Sequence, residues 1–328
     1  MHSAPLKTRS GSWAKSDKEK ADTFADQLAE IFQPNNSEAV VLTEEPGNIA
    51  FPSFPVVKRK ELKKAINNLF VKKAPGFDLI TPEILKNLPN KALKFLTRIM
   101  NAVFKLKCVP TKWKVAEIIM ILKPGKTPND PKSYRPISLL PMISKIFERL
   151  LLNRLEPLIK SSSVIPNHQF GFRKGHSTID QIHRITNEIE NALETKQICS
   201  AVFLDVAQAF DKVWHEGLLY KLSHIVPTAY VDLFKSYLTN RSFYVKNKAE
   251  VSLLREIKAG VPQASILGPI LYVLYTYDIP QIDNAITATF AAVTASLIVH
   301  DNIKDATQKR QQVIDHASSC QDRSNSIS

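Results

Sequence analysis

Cysteine is scarce in this chain: Cys108, Cys199 and Cys320 are the only three in 328 residues. They stand far apart, with no CxxC pair and no histidine at zinc-ligand spacing, which argues against a disulfide framework or a structural zinc site. The eight histidines are scattered and contain no HExxH pattern. No uncharged apolar run approaches the ~20 residues that would span a bilayer. The first twenty residues, polar and basic, lack the apolar region of a secretory signal. Internal repeats and low-complexity tracts are missing too. These absences lead us to expect an intracellular protein, nuclear or cytoplasmic and not secreted, with no membrane partner.

What the chain does have is enough apolar matter for a core, 44% of its residues, in a length that suits one large domain or two small ones. It also carries an excess of cations, 44 Lys and Arg against 31 Asp and Glu, for a formal charge of +13. Such a surface attracts polyanions in a salt-dependent way, so nucleic acid is the leading partner and a merely solvated basic surface the alternative.

Hydrophobic periodicity predicts helices over residues 17–32, 58–70, 138–160, 177–195 and 266–277, with a further helical pattern ending near Leu238. Val- and Ile-rich runs predict a strand over 115–122 and a buried strand over 198–204, with Asp205 at its end. A hairpin is expected over 242–258, and two more strands over 287–291 and 295–300 around a short turn. Residues 33–48 read as a linker. Pro and Gly interrupt regular structure at 72–78, leaving Lys72 and Lys73 on a basic loop.

The chemistry-bearing strings follow this skeleton. FLDVAQAFD, residues 203–211, puts the Asp205 carboxylate just past an apolar strand, where a rigid scaffold can hold it over a cleft. Taken alone, Asp205 could equally be a turn or cap residue, and Asp211, before Lys212, a salt-bridged surface residue. In order along the chain come APGFD with TPE (74–83), LKPGK with YRPISLL (122–140), QFGFR (169–173), FLDVAQAFD with KVWH (203–215), and GVPQASILGP (260–269). Any one of these could arise by chance; five in register are hard to obtain otherwise. Together they resemble motifs 0, 1, 2, A and B of reverse transcriptases, most closely those of non-LTR, jockey-type retrotransposons. Group II intron maturases and telomerase-type polymerases are poorer matches.

The resemblance implies an α+β fold, a right-hand polymerase fingers and palm with an antiparallel palm sheet. Residues 1–50 would form an N-terminal extension and linker, 51–195 the fingers, 196–312 the palm and 313–328 a divergent tail. It also implies two-metal nucleotidyl transfer with Mg²⁺, an RNA template, a DNA primer and deoxynucleoside triphosphates. Within that scheme Asp205 is the motif A metal ligand and catalytic carboxylate. Lys123 and Arg135 match cations that neutralise the triphosphate, Phe210 the aromatic that crowds a ribose 2′-hydroxyl, and Gln263 a residue lining the nucleotide pocket. Lys72, Lys73 and Arg173 would touch nucleic acid. The bland alternatives are a packed Phe and solvated Lys, Arg and Gln.

Two departures stand out. Where the family carries Phe-Ala-Asp-Asp in motif C, this chain has Phe290, Ala291, Ala292 and Val293, so both aspartates are gone. Asp278, Asp283 and Asp301 lie several residues from that position. Motif B has Ala264 where the family has glycine, and a methyl there conflicts with a positive φ or with the template strand. On the same resemblance, the chain is expected to stop before a thumb. The expectation is therefore a truncated, inactive reverse transcriptase; the alternatives are a non-catalytic nucleic-acid-binding module, the product of a pseudogene, or polymerisation through an unexpected carboxylate.

Overall fold

A computed structural model describes residues 4–34, 54–206, 208–278 and 285–323. In chain order the elements are β1 (Leu6–Lys7), β2 (Trp13–Ala14), α1 (Asp17–Ile31), α2 (Arg59–Asn67), α3 (Pro82–Lys86), α4 (Asn90–Leu106), β3 (Val115–Leu122) and β4 (Tyr134–Leu139). They continue with α5 (Met142–Ser162), α6 (Thr178–Glu194), β5 (Ile198–Asp205), α7 (His215–Ser223), α8 (Thr228–Leu238), β6 (Arg241–Asn247), β7 (Glu250–Val251) and β8 (Arg255–Ile257). Last come α9 (Gly268–Tyr275), β9 (Ala285–Phe290), β10 (Val293–His300) and α10 (Ile303–Arg323). The expected linker lies outside the described residues from position 35 onward.

The chain divides into two compact units, one from Met1–Pro34, Pro46–Leu158 and Phe210–Gly268, the other from Asn35–Glu45, Ile159–Ala209 and Pro269–Ser328. The first is built on a mixed sheet in the order β4-β3-β6-β7, with β8 also paired to β6; β3 and β6 run parallel and the other pairs antiparallel. Helix α1 opens with a capping box, Ser16 accepting from the Glu19 N–H while the Glu19 carboxylate accepts from the Ser16 N–H. Its apolar face, Phe24, Ala25 and Leu28, packs with Ala116, Ile118, Phe243 and Val245 of the sheet. On α4, α5 and α8, Phe104, Phe147 and Tyr237 form a chain of tilted aromatic contacts, with ring centroids 5.7 and 6.4 Å apart.

The second unit is an antiparallel sheet in the order β5-β10-β9. Successive side chains alternate between its faces. Val202 and Ile298 pack with Val313 of α10, whereas Ala288, Ala295 and Leu297 pack with Ile185 and Ile189 of α6. The α6 helix begins, like α1, with a capping box, here Ser177 and Asp180.

Three expectations need correction. The helix expected over 138–160 starts only at Met142, because Ser138 and Leu139 belong to β4 and Pro141, which lacks an N–H, biases Leu140 toward extended backbone. In the strand expected to be buried only Val202 is buried, and Phe203 is 69% exposed; alternate residues of β5 point to a face left open near the strand end. The helical pattern ending at Leu238 is two helices, broken before Thr228 at Pro227.

Candidate active site

The end of β5 and the β9–β10 hairpin make the tip of the second unit's sheet. Phe290 pairs with Val293, so Ala291 and Ala292 form a two-residue turn. Positive φ falls on the first of these, Ala291 at +57°, a strained choice for a residue with a β-carbon. Val293 is also paired directly with Asp205. Paired residues face the same side of a sheet with β-carbons ~5 Å apart. An isopropyl group therefore stands beside the Asp205 carboxylate, and the turn adds only methyls.

This register tests whether the tip suits a divalent cation. Mg²⁺ requires hard oxygen ligands in octahedral array, and among the described residues the tip offers the Asp205 carboxylate alone. Among the described residues no group of three His, Cys, Asp or Glu side chains is placed to hold a metal ion. Asp301 follows the opposite end of β10, an eight-residue strand and so roughly 25 Å from the tip, and its carboxylate accepts from the Gln197 amide at 2.8 Å. Asp283 lies outside the described residues. The described side chains do not fit a two-metal centre. Tyr272 of α9 is buried nearby, its phenol pushed up to about 12 by burial and by the negative charges of Tyr275 and Asp205.

The turn is nevertheless firmly braced. The Gln169 side-chain amide oxygen, Oε1, accepts from the Ala291 N–H at 3.2 Å and from the Gly171 N–H at 2.8 Å. Phe170 N–H donates to Thr289 O, and Thr289 N–H to His168 O, both at 2.9 Å. A β-carbon on Gly171 would lie 2.1 Å from the Ala291 nitrogen, so only glycine permits this approach. Arg173 donates to the Pro166 and Gln169 carbonyls at 3.0 and 3.2 Å, closing the same loop.

The other expected site residues lie in the first unit. Lys123 immediately follows β3; its backbone N–H donates to Ser133 O at 2.8 Å, while its ammonium donates to the Lys132 carbonyl at 2.9 Å. Arg135 is exposed on β4, paired with Ile121 on the neighbouring strand. Lys72 and Lys73 are exposed on the loop after α2, where Lys72 adopts φ +69° and its N–H donates to the Glu83 carboxylate. Gly76 of that loop presses against the Leu140–Pro141 backbone, where an added β-carbon would lie 2.7 Å from the Pro141 nitrogen.

Phe210, half-buried, belongs to a segment laced to the 260–263 loop. Val261 N–H donates to Phe210 O, and Gly260 N–H to Val213 O, both at 2.8 Å. His215 Nε2–H donates to Gly260 O at 2.8 Å. Burial drives the His215 imidazole down to about 4, so it is neutral near pH 7. The Gln263 amide donates to both Asp211 oxygens at 2.9 Å. Asp211 is thus no salt-bridged surface residue: it is 6% exposed, and burial raises its carboxyl to about 6 against the opposing pull of Gln263 and Lys212. Because an ionised carboxylate only accepts, this bond fixes which way the Gln263 amide faces. Ala264, next along, has φ +67°. Sequence reasoning had overlooked Gln169, Gly171 and Asp211 as site builders, although each stands inside a recognised string.

A family profile for reverse transcriptase (RNA-dependent DNA polymerase) matches residues 121–319. The chain is 42% identical over 283 residues to the probable RNA-directed DNA polymerase from transposon BS of Drosophila melanogaster, covering 84% of this chain and 31% of that protein. To the RNA-directed DNA polymerase from mobile element jockey of the same organism it is 41% identical over 325 residues, 94% of this chain and 35% of that one. It thus spans about a third of the length of these curated relatives. Among solved structures, a telomerase from Candida tropicalis in complex with the TWJ fragment of telomeric RNA aligns at TM-score 0.44 and 14% identity, over 72% of this chain and 42% of that one. The chain belongs to the reverse transcriptase (RNA-dependent DNA polymerase) family and is a reverse transcriptase domain of the non-LTR retrotransposon kind.

Proposed function

We propose that this chain is the fingers and palm of such a domain, which binds template and primer but does not polymerise. In this reading residues 51–195 are the fingers and 196–312 the palm. Lys72, Lys73 and Arg173 meet the nucleic-acid backbone, Lys123 and Arg135 a nucleotide triphosphate, Phe210 the sugar and Gln263 the nucleotide. Asp205 is the one catalytic carboxylate left. The observation that carries the proposal is the pairing of Val293 with Asp205, which places an apolar side chain where a second metal-binding carboxylate would be required. No step of nucleotidyl transfer can be written through a pair of Mg²⁺ ions on these residues. Losing ligands worth even ~5 kcal/mol of transition-state stabilisation slows a reaction by more than about a thousandfold.

The basic surface does not depend on the hairpin tip, so binding should survive its loss. Fluorescence anisotropy with an RNA template annealed to a DNA primer tests this. Affinity should fall linearly with salt on logarithmic axes, should be no weaker in EDTA than in Mg²⁺, and no primer should be extended. Absence of binding at low salt, a strict Mg²⁺ requirement for binding, or extension by the unaltered chain would refute the proposal.

A further inference from the structure

Helix α4 carries an apolar seam that no other part of the described structure covers. Phe95, Ile99 and Leu106 are 64%, 44% and 71% exposed, and Ala102 is exposed between them. At 3.6 residues per turn these four positions lie within about 60° of one another, in a stripe roughly 16 Å long. Their 4-3-4 spacing is that of the a and d positions of a coiled coil. The opposite face of the helix, Leu93, Leu96, Met100, Val103 and Phe104, is buried, so the seam is held rigidly outward.

Charge narrows the choice of occupant. Lys91, Lys94, Arg98 and Lys105 are exposed along one flank of the seam, and the helix has no Asp or Glu at all. None of the four appears in an ion pair among the described residues, and the Arg98 guanidinium lies 5.9 Å from the Phe95 ring centroid. An apolar stripe offers no hydrogen bond to a sugar-phosphate strand. A second copy of the same face would bring the four cations against four more. The geometry points to α4 as a docking surface for an amphipathic helix of a partner protein, apolar along its own seam and acidic along its flank. This surface lies within the first unit and does not depend on the polymerase reading.

The full chain would be titrated into a fluorescein-labelled synthetic helix of about three heptads with Leu at a and d and Glu at e and g. The comparison probe has Lys in place of Glu. Saturable binding of the acidic probe is expected, weakened at least about tenfold by Ile99→Asp or Leu106→Asp. Because these positions are exposed, circular dichroism should be unchanged. The charge reversal Lys94→Glu with Arg98→Glu takes the flank from four cations to no net charge and should remove the preference for the acidic probe while both probes still bind, a result that mere unfolding cannot produce. The proposal is overturned if the acidic probe does not bind, if the unaltered chain binds both probes alike, or if the seam variants bind as the unaltered chain does. It is equally overturned if Ile99→Asp instead abolishes binding to vesicles of phosphatidylcholine and phosphatidylserine, binding to single-stranded RNA, or self-association of the chain.

Discussion

The carboxyl of Asp211 supplies a quantitative check on the 260–263 loop. Burial moves it from the ordinary 3.8 to about 6. At about 1.4 kcal/mol per pH unit, the folded protein bears a cost of ~3 kcal/mol for keeping this group ionised near pH 7. The sign follows from the raised value: folding holds the proton more tightly, so the cost is absent below about pH 4 and complete above about pH 6. His215 acts in the opposite sense. Its neutral form is favoured by burial, so its contribution to stability is present above 6.5 and is lost as pH falls toward about 4. In the unaltered chain the two offset one another across this interval. Asp211→Asn keeps the shape and still accepts from Gln263, but removes the charge. The variant should match the parent within ~1 kcal/mol at pH 4 and exceed it by up to ~3 kcal/mol at pH 7, less whatever the weaker neutral hydrogen bond gives up. All three tryptophans, Trp13, Trp113 and Trp214, lie in the first unit, so urea unfolding followed by tryptophan fluorescence at both pH values reads this directly. A difference between variant and parent that does not change with pH would refute the reasoning.

Two further substitutions probe the backbone. Ala264→Gly should stabilise the first unit by ~1 kcal/mol, since an L-residue in the left-handed region costs about 1–2 kcal/mol and glycine gives back only part through its freer unfolded chain; a lower urea midpoint would contradict this. Gly171→Ala should destabilise the hairpin tip by ~1–3 kcal/mol, because its methyl meets the Ala291 backbone. Hydrogen exchange at the β9 and β10 amides should accelerate, and unchanged protection there would show that the turn does not rest on this contact.

Much of the fold was legible because helix and strand periods are strong in this chain. The 115–122 strand and the 17–32 helix come from uninterrupted patterns, and the structure places both within a residue of the expected bounds. The 138–160 helix misled because Ser138 to Leu140 continue its apolar face by coincidence, while pairing with β3 and the proline at 141 decide the matter. In the site, the lost aspartates were plain from the wording of a single string. Gln169 and Asp211 were not, because their roles consist of long-range hydrogen bonds to Ala291 and Gln263, 122 and 52 residues away. A local pattern carries no trace of such partners.

The central claim is that activity fails at the tip where Val293 faces Asp205. Primer extension on an RNA template, with Mg²⁺ or Mn²⁺, should therefore be run on the unaltered chain beside the double variant Ala292→Asp, Val293→Asp. Extension by the double variant alone is the predicted result. Extension by the unaltered chain, or none by either protein, would contradict the claim that these two positions silence it.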